Sequence, residues 1–312
     1  MSDLRASLNR TRQKYLTQEA VMKNKFHVVV TLSVLAVAVA VVAFAARSSR
    51  GQSRRSNKNT SAKPAVRVTD SSSTKASAFT AAAGQNAVLR NELTWTFGGK
   101  PQRGWYLYDL LISKTLNTND DPLSNDFAEE LAGWQKKRRL SADGVLDEDA
   151  LMALVSQWQS ARLKSRTPAQ PDQLVTAPPS DFYDPGRADE LRQVERNAYA
   201  AYKEMIAAAT HDLKLTPASK YLKIVSSYRS REYQDQLRKN SPNSGRAGLA
   251  VNSPHFTGRA LDIYVGGSPV DTNDANRAIQ VNTPAYKWLV RNAERFGFRP
   301  YFYEPWHWEY VK

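Results

Sequence analysis

Hydrophobic and polar positions change period several times along this chain. From Val28 to Ala46 the run VVVTLSVLAVAVAVVAFAA carries no charge, and its 19 residues would rise roughly 28 Å as a helix, close to the ~30 Å hydrocarbon core of a bilayer. A soluble helix keeps a polar face over that length, so residues 28–46 predict a transmembrane helix behind a basic tail, residues 1–27. A cleaved signal peptide with Ala43-Phe44-Ala45 at the cleavage site is the alternative, but the preceding basic region is long for one. Residues 47–88, above all Arg47 to about Ala83, are Ser, Thr, Ala, Lys and Arg with almost no large apolar side chains. Such a stretch predicts a flexible linker, because it buries too little surface to offset its ordering entropy.

Over residues 89–166 the spacing turns helical. Phe127, Leu131 and Trp134 recur at i, i+4 and i+7 behind Ser124, an N-cap type, and Leu151, Leu154, Val155 and Trp158 share a face behind Asp147. An Asp143-Gly144 turn separates the two, and Trp105, Tyr108, Leu111 and Ile112 predict a further apolar helix face. Pro168, Pro171, Pro178, Pro179 and Pro185 then mark residues 167–185 as a proline-rich linker.

Residues 186–312 are of normal size for one domain. Leu191, Val194, Ala198, Tyr202, Met205 and Ile206 predict an amphipathic helix. Strands are expected over Tyr221–Ser227, Ala260–Val265 and Trp306–Val311, and helices around Gln234 and Leu237 and from about Pro284 to Phe296. Helices and short strands without repeated βαβ units predict an α+β fold, with a small antiparallel sheet flanked by helices.

Composition narrows the chemistry. There is no cysteine, which removes thiol nucleophiles and cysteine-based zinc sites and leaves His, Asp and Glu as metal ligands. The net charge of +14 is concentrated, with 14 Lys/Arg against 3 Asp/Glu in residues 1–75 and 30 against 27 in the remainder. Basic residues beside an apolar segment act on lipid headgroups or fix topology, so no nucleic-acid function is expected. Six Lys/Arg precede the apolar run and eight lie between Arg47 and Lys75, so charge alone does not orient it.

Of the four histidines, His27 borders the apolar run and His211 lies near the end of an amphipathic helix. His255 and His307 sit beside carboxylates in aromatic surroundings. A catalytic zinc uses three protein ligands and an open position. His255 and Asp262 flank Gly258, where the chain can turn so that both side chains reach one ion, and His307 can add the third ligand. Glu304 is then free to take a proton from the attacking water.

Ser253-Pro254-His255-Phe256-Thr257-Gly258-Arg259-Ala260-Leu261-Asp262 resembles the S-x-H-x-x-G-x-A-x-D motif of the VanY-type D-alanyl-D-alanine carboxypeptidases, zinc peptidases of bacterial cell walls. Glu304-Pro305-Trp306-His307 is similar to their E-P-W-H motif, and Ser227-Tyr228-Arg229-Ser230 with Gln234 to their upstream element. The three motifs occur in family order. The resemblance implies zinc (Zn2+) on His255, Asp262 and His307, Glu304 as base and later acid, and Arg229 facing the substrate carboxylate or the developing oxyanion. It also implies Ser253 and Gln234 as pocket residues. An Arg229 paired instead with a nearby carboxylate is the alternative for that residue.

Trp134-Gln135, Leu140, Asp143-Gly144-Val145, Ala150 and Leu154 resemble the small helical peptidoglycan-binding domain often attached to cell-wall hydrolases. An ordinary helical spacer explains the same residues equally well. Together these readings imply an enzyme that removes the terminal D-amino acid of peptidoglycan stem peptides. It would be anchored by one helix in the inner or cytoplasmic membrane, with its catalytic part facing the periplasm or cell wall. LD-carboxypeptidase or endopeptidase action uses the same ligands, and a non-catalytic wall-binding protein would not need Glu304. A serine hydrolase using Ser253 or Ser230 lacks a G-x-S-x-G elbow. The loop from Asn240 to Asn252 is expected at the pocket rim.

Overall fold

The computed structural model describes residues 71–241 and 249–312, with side chains from Phe79 onward. The predicted basic tail, the membrane span Val28–Ala46 and the first part of the expected linker lie outside the described residues. Among those described, no helix is long and apolar enough to cross a membrane.

The second part of the expected linker is helix α1, Ser71–Glu92. Alanine has the highest helix propensity, and its small side chain admits close packing. Ala82 and Ala83 are buried, and the Asn86 side chain donates to the Gly144 carbonyl (2.9 Å) and accepts from the Leu146 amide (2.7 Å). Small side chains, the bidentate Asn86 amide and the Arg90–Asp109 ion pair hold α1, whose large apolar residues are Phe79, Val88 and Leu89 alone, which is why its composition reads as a tether.

A hairpin of β1 (Thr94–Phe97) and β2 (Lys100–Arg103) comes next, then α2 (Asp109–Leu116), α3 (Asn125–Lys137) and α4 (Glu148–Ser160). Ser124 and Asp147 cap α3 and α4, accepting from the amides of Phe127 and Ala150, as their positions predict. Trp105 stacks on Phe127 at 6.4 Å between ring centroids.

This helical region packs directly on the C-terminal part of the chain. Phe97, Tyr108 and Trp158 lie against Phe302 at 4.7, 5.4 and 5.8 Å, and Arg277 donates to the Tyr108 hydroxyl. The stretch expected as a proline-rich linker is also built in. Within it β3 (Leu174–Thr176) pairs antiparallel with β4 (Gln193–Glu195), Ala177 and Phe182 are buried, and the Tyr183 amide donates to the Ile224 carbonyl. Prolines here end elements and start short 3-10 turns at Pro171 and Pro179 without releasing the chain from the core.

Helix α5 is Arg196–Leu213, later than its periodicity suggests. Leu191 ends a 3-10 turn and Val194 lies in β4, because the pairing with β3 competes with the helical period. The main sheet holds β5 (Ile224–Ser226), β6 (Ala260–Ile263), β7 (Phe298–Tyr301) and β8 (Glu304–Tyr310) in the order β5-β6-β8-β7, every pair antiparallel. Helices α6 (Arg231–Asn240), α7 (Asp274–Asn282) and α8 (Pro284–Asn292) complete an α+β architecture. Leu261, Ile263 and Trp308 join Tyr202, Met205 and Leu289 in the core, while alternation along the strands leaves Asp262 and His307 on the opposite face.

Candidate active site

The sheet register builds the site. Asp262 in β6 lies opposite His307 in β8 and opposite Ser226 in β5. His255 comes from a 3-10 turn, Pro254–Thr257, capped by Ser253 and closed by Gly258 at φ 64°. A Cβ at Gly258 would meet the Glu195 amide nitrogen and Leu174 Cδ2, each at 2.9 Å. That amide donates to the Gly258 carbonyl, so the β3–β4 hairpin presses the His255 turn toward the sheet. The register of β8 shifts between Pro300 and Tyr301 of its partner strand. This irregularity lets Glu304 and His307, three residues apart, face one site, with Glu304 Oε2 4.0 Å from His307 Nδ1.

Asp262 Oδ1 lies 3.3 Å from His255 Nε2 and 2.9 Å from His307 Nδ1, and one donor atom from each of the three buried residues lies within 4.8 Å of the others. Ligand atoms about 2.0 Å from a tetrahedral zinc sit roughly 3.3 Å apart, so the spacing and the nitrogen–oxygen donor set fit such an ion. The remaining ring nitrogens are engaged. His255 Nδ1 is 2.7 Å from the Ser227 carbonyl and His307 Nε2 3.2 Å from Glu309 Oε1. These acceptors fix each ring and select the nitrogen left for a metal.

The environments push the titrations apart. Burial opposes ionisation of Asp262, but the charges and hydrogen bonds of His255, Arg229 and His307 outweigh it and hold the carboxyl well below its ordinary value. Burial moves His255 down to about 4. For His307 the hydrogen bonds to Asp262 and Glu309 overcome burial and raise it to about 9. Glu304 is pushed up to about 8, chiefly by burial, with Asp262 adding to the rise.

Arg229 has Nη2 2.6 Å from Asp262 Oδ2, Nε 2.9 Å from Ser226 Oγ and Nη1 3.3 Å from Gln234 Oε1. The geometry is that of an arginine paired with a nearby carboxylate, although its side chain borders the cavity. Gln234 is fully buried and braces Arg229 and the Ala250 carbonyl. Ser253 lines the cavity, and its Oγ accepts from the His255 amide.

Glu309 escapes a motif-based reading. It is buried, accepts from the Leu163 amide (2.9 Å) and from Arg162 and Arg166, and carries the His307 bond. Burial pushes its carboxyl up, but His307 and Arg162 outweigh that and hold it well below the carboxylate range. Its position two residues after His307 on one strand, a charge among aromatics, is the sequence signal for it. The cavity around these groups has a volume of about 460 Å³, and its described rim includes Leu249, Ala250 and Asn252 from the loop expected there. Residues 242–248 of that loop lie outside the described residues.

Residues 191–312 match the family described as VanY, D-alanyl-D-alanine carboxypeptidase, so the resemblance carried by the three motifs is shown for this part of the chain. Among solved structures, that of the LdcB LD-carboxypeptidase, a study of peptidoglycan recognition, is similar at 29% identity. The match covers 46% of this chain and 69% of that one, with a TM-score of 0.34. No curated protein matches the chain.

Proposed function

We propose that this protein is a zinc-dependent carboxypeptidase that removes the terminal D-amino acid, of the D-Ala-D-Ala type, from peptidoglycan stem peptides. The observation carrying the proposal is the buried His255–Asp262–His307 set with Glu304 4.0 Å from His307 Nδ1, in a region that matches a carboxypeptidase family. His255 would hold zinc through Nε2, His307 through Nδ1 and Asp262 through Oδ1. Zinc there would supply Lewis acidity toward a scissile carbonyl. Glu304 is placed to take a proton from the attacking water and deliver it to the leaving amine. Its carboxyl, held at about 8 in the metal-free protein, would ionise at neutral pH once a bound cation added its charge. Arg229 holds the Asp262 carboxylate in place. The uncharged run Val28–Ala46 supports placing this activity at a membrane surface, and a peptidoglycan substrate would require the catalytic part to face the wall.

Purified protein should contain zinc and shorten a defined pentapeptide stem by one residue, detected by mass. His255→Ala and His307→Ala should lose metal and activity together. Glu304→Ala should keep the metal and lose roughly 10²–10⁴-fold in turnover. Loss of zinc in Glu304→Ala with retention in His307→Ala would reverse the assigned roles.

A further inference from the structure

Four arginines border the catalytic cavity: Arg162, Arg166, Arg187 and Arg229. Three are committed to carboxylates, Arg162 and Arg166 to Glu309 and Arg229 to Asp262. Arg187 is different. Its Nε donates to the Leu191 carbonyl (3.1 Å) and its Nη1 to the Val225 carbonyl (2.7 Å). Among the described residues no carboxylate lies within ion-pair distance of it, and Nη2 makes no hydrogen bond.

We infer that Arg187 is the residue that binds the free C-terminal carboxylate of the substrate, a part expected of Arg229. This rests on the exopeptidase reading above. An exopeptidase distinguishes a chain end from an internal peptide bond by the terminal carboxylate, and a guanidinium matches that group with a planar fork. The Leu191 and Val225 carbonyls fix Nε and one Nη1 N–H of Arg187, so little side-chain freedom remains to be lost on binding, and Nη2 with the second Nη1 N–H is the pair left for a carboxylate. Val225 precedes Ser226, which accepts from Arg229 and lies opposite Asp262. Arg187 is thereby anchored to the strand that borders the metal ligands. A half-buried guanidinium with no carboxylate at ion-pair distance among the described residues is costly unless an anion completes it. Burial lowers its affinity for the proton and the Arg229 charge adds to that, while Tyr233 and the more distant Asp184 and Asp262 carboxylates offset only part of it. Arg187 lies before the matched residues 191–312 and within none of the three motifs.

The test compares one stem peptide ending in D-Ala-D-Ala as the free acid and as the C-terminal amide, on the full chain with zinc bound. Wild type should favour the acid in kcat/KM by about 10–100-fold, the range expected for charge-assisted hydrogen bonds. In Arg187→Gln and Arg187→Lys the acid should lose most of that factor, mainly through KM. The amide should change far less, so the acid-to-amide ratio collapses. Because the ratio is taken within one preparation, partial misfolding cancels from it. Arg229→Gln should instead lower zinc content and keep the ratio. A large wild-type ratio that survives both Arg187 substitutions would overturn the assignment and leave the exopeptidase reading standing. A wild-type ratio near one would overturn the exopeptidase reading itself.

Discussion

Glu309→Gln removes one charge and keeps the side-chain volume. The carboxylate has no exposed surface and Arg162 little, so the substitution leaves one guanidinium, and part of a second, without its buried counter-charge. It also replaces one acceptor oxygen with an amide that confronts donors from Arg162, Leu163 and His307. Breaking a buried pair from one side costs about 3–5 kcal/mol. At about 2–4 °C per kcal/mol for a chain of this size, the metal-free melting temperature should fall by roughly 6–20 °C. The ring of His307 loses its fixed acceptor at the same time, and loss of such outer partners typically lowers metal affinity about 10–100-fold. Calorimetric melting of the chelated protein and competition with a chromogenic chelator measure the two effects. A Glu309→Gln variant that melts and binds zinc like the wild type would refute both the buried-pair argument and the role given to His307 Nε2.

The same geometry fixes other outcomes. In the metal-free protein His307, raised to about 9, and Glu304, raised to about 8, hold protons at neutral pH, whereas His255, lowered to about 4, does not. Zinc binding near pH 7 should therefore release at least about one proton, seen by calorimetry in buffers of different ionisation enthalpy; pH-independent affinity between about 6 and 8 would contradict it. Both folded-state values are raised, so the stability that they contribute to the metal-free fold is present in acid and lost as pH rises through about 8–9, which urea melts across pH would record. Gly258→Ala places a side chain at positive φ against the Glu195 amide and should cost about 1–2 kcal/mol or more, with a parallel drop in zinc content. A fragment of residues 186–312 should aggregate or melt far below one beginning near residue 71, because it lacks Arg162, Leu163 and the β3 strand. The full chain should stay with membranes through high-salt and alkaline washing, and release by salt alone would show that only the basic residues hold it.

Much of the site was legible because chemistry confines it to short motifs. The motifs name His255, Asp262, Glu304 and His307, while the Gly258 turn and the irregular β7–β8 register, which spacing does not announce, bring them together. The helices behind Ser124 and Asp147 were legible from caps and apolar spacing. Helix α7 was not, because Asn276, Arg277 and Gln280 form its buried residues and leave no apolar period. β7 contains Arg299 and Pro300 and is specified by its register with β8. Val194 kept the helical period of α5 while pairing with Val175, a contact that no local pattern announces. Arg187 and Glu309 depend on partners far along the chain, Val225 for one and Arg162 for the other, so their roles emerge only when the strands assemble.

The path from Arg162 and Arg166 through Glu309 to His307 has a thermodynamic consequence for regulation of the whole molecule. Docking of the residue 162–166 segment and occupancy of the metal site share one carboxylate, so the two equilibria are coupled, and coupling between equilibria is reciprocal. Whatever factor the docked segment contributes to metal affinity, the metal contributes equally to docking. Chelation should then loosen a stretch that touches no ion, raising amide hydrogen exchange at Leu163, whose N–H is held by Glu309. Strain applied to the 162–166 segment would by the same coupling be felt at the three ligands as a change in metal retention.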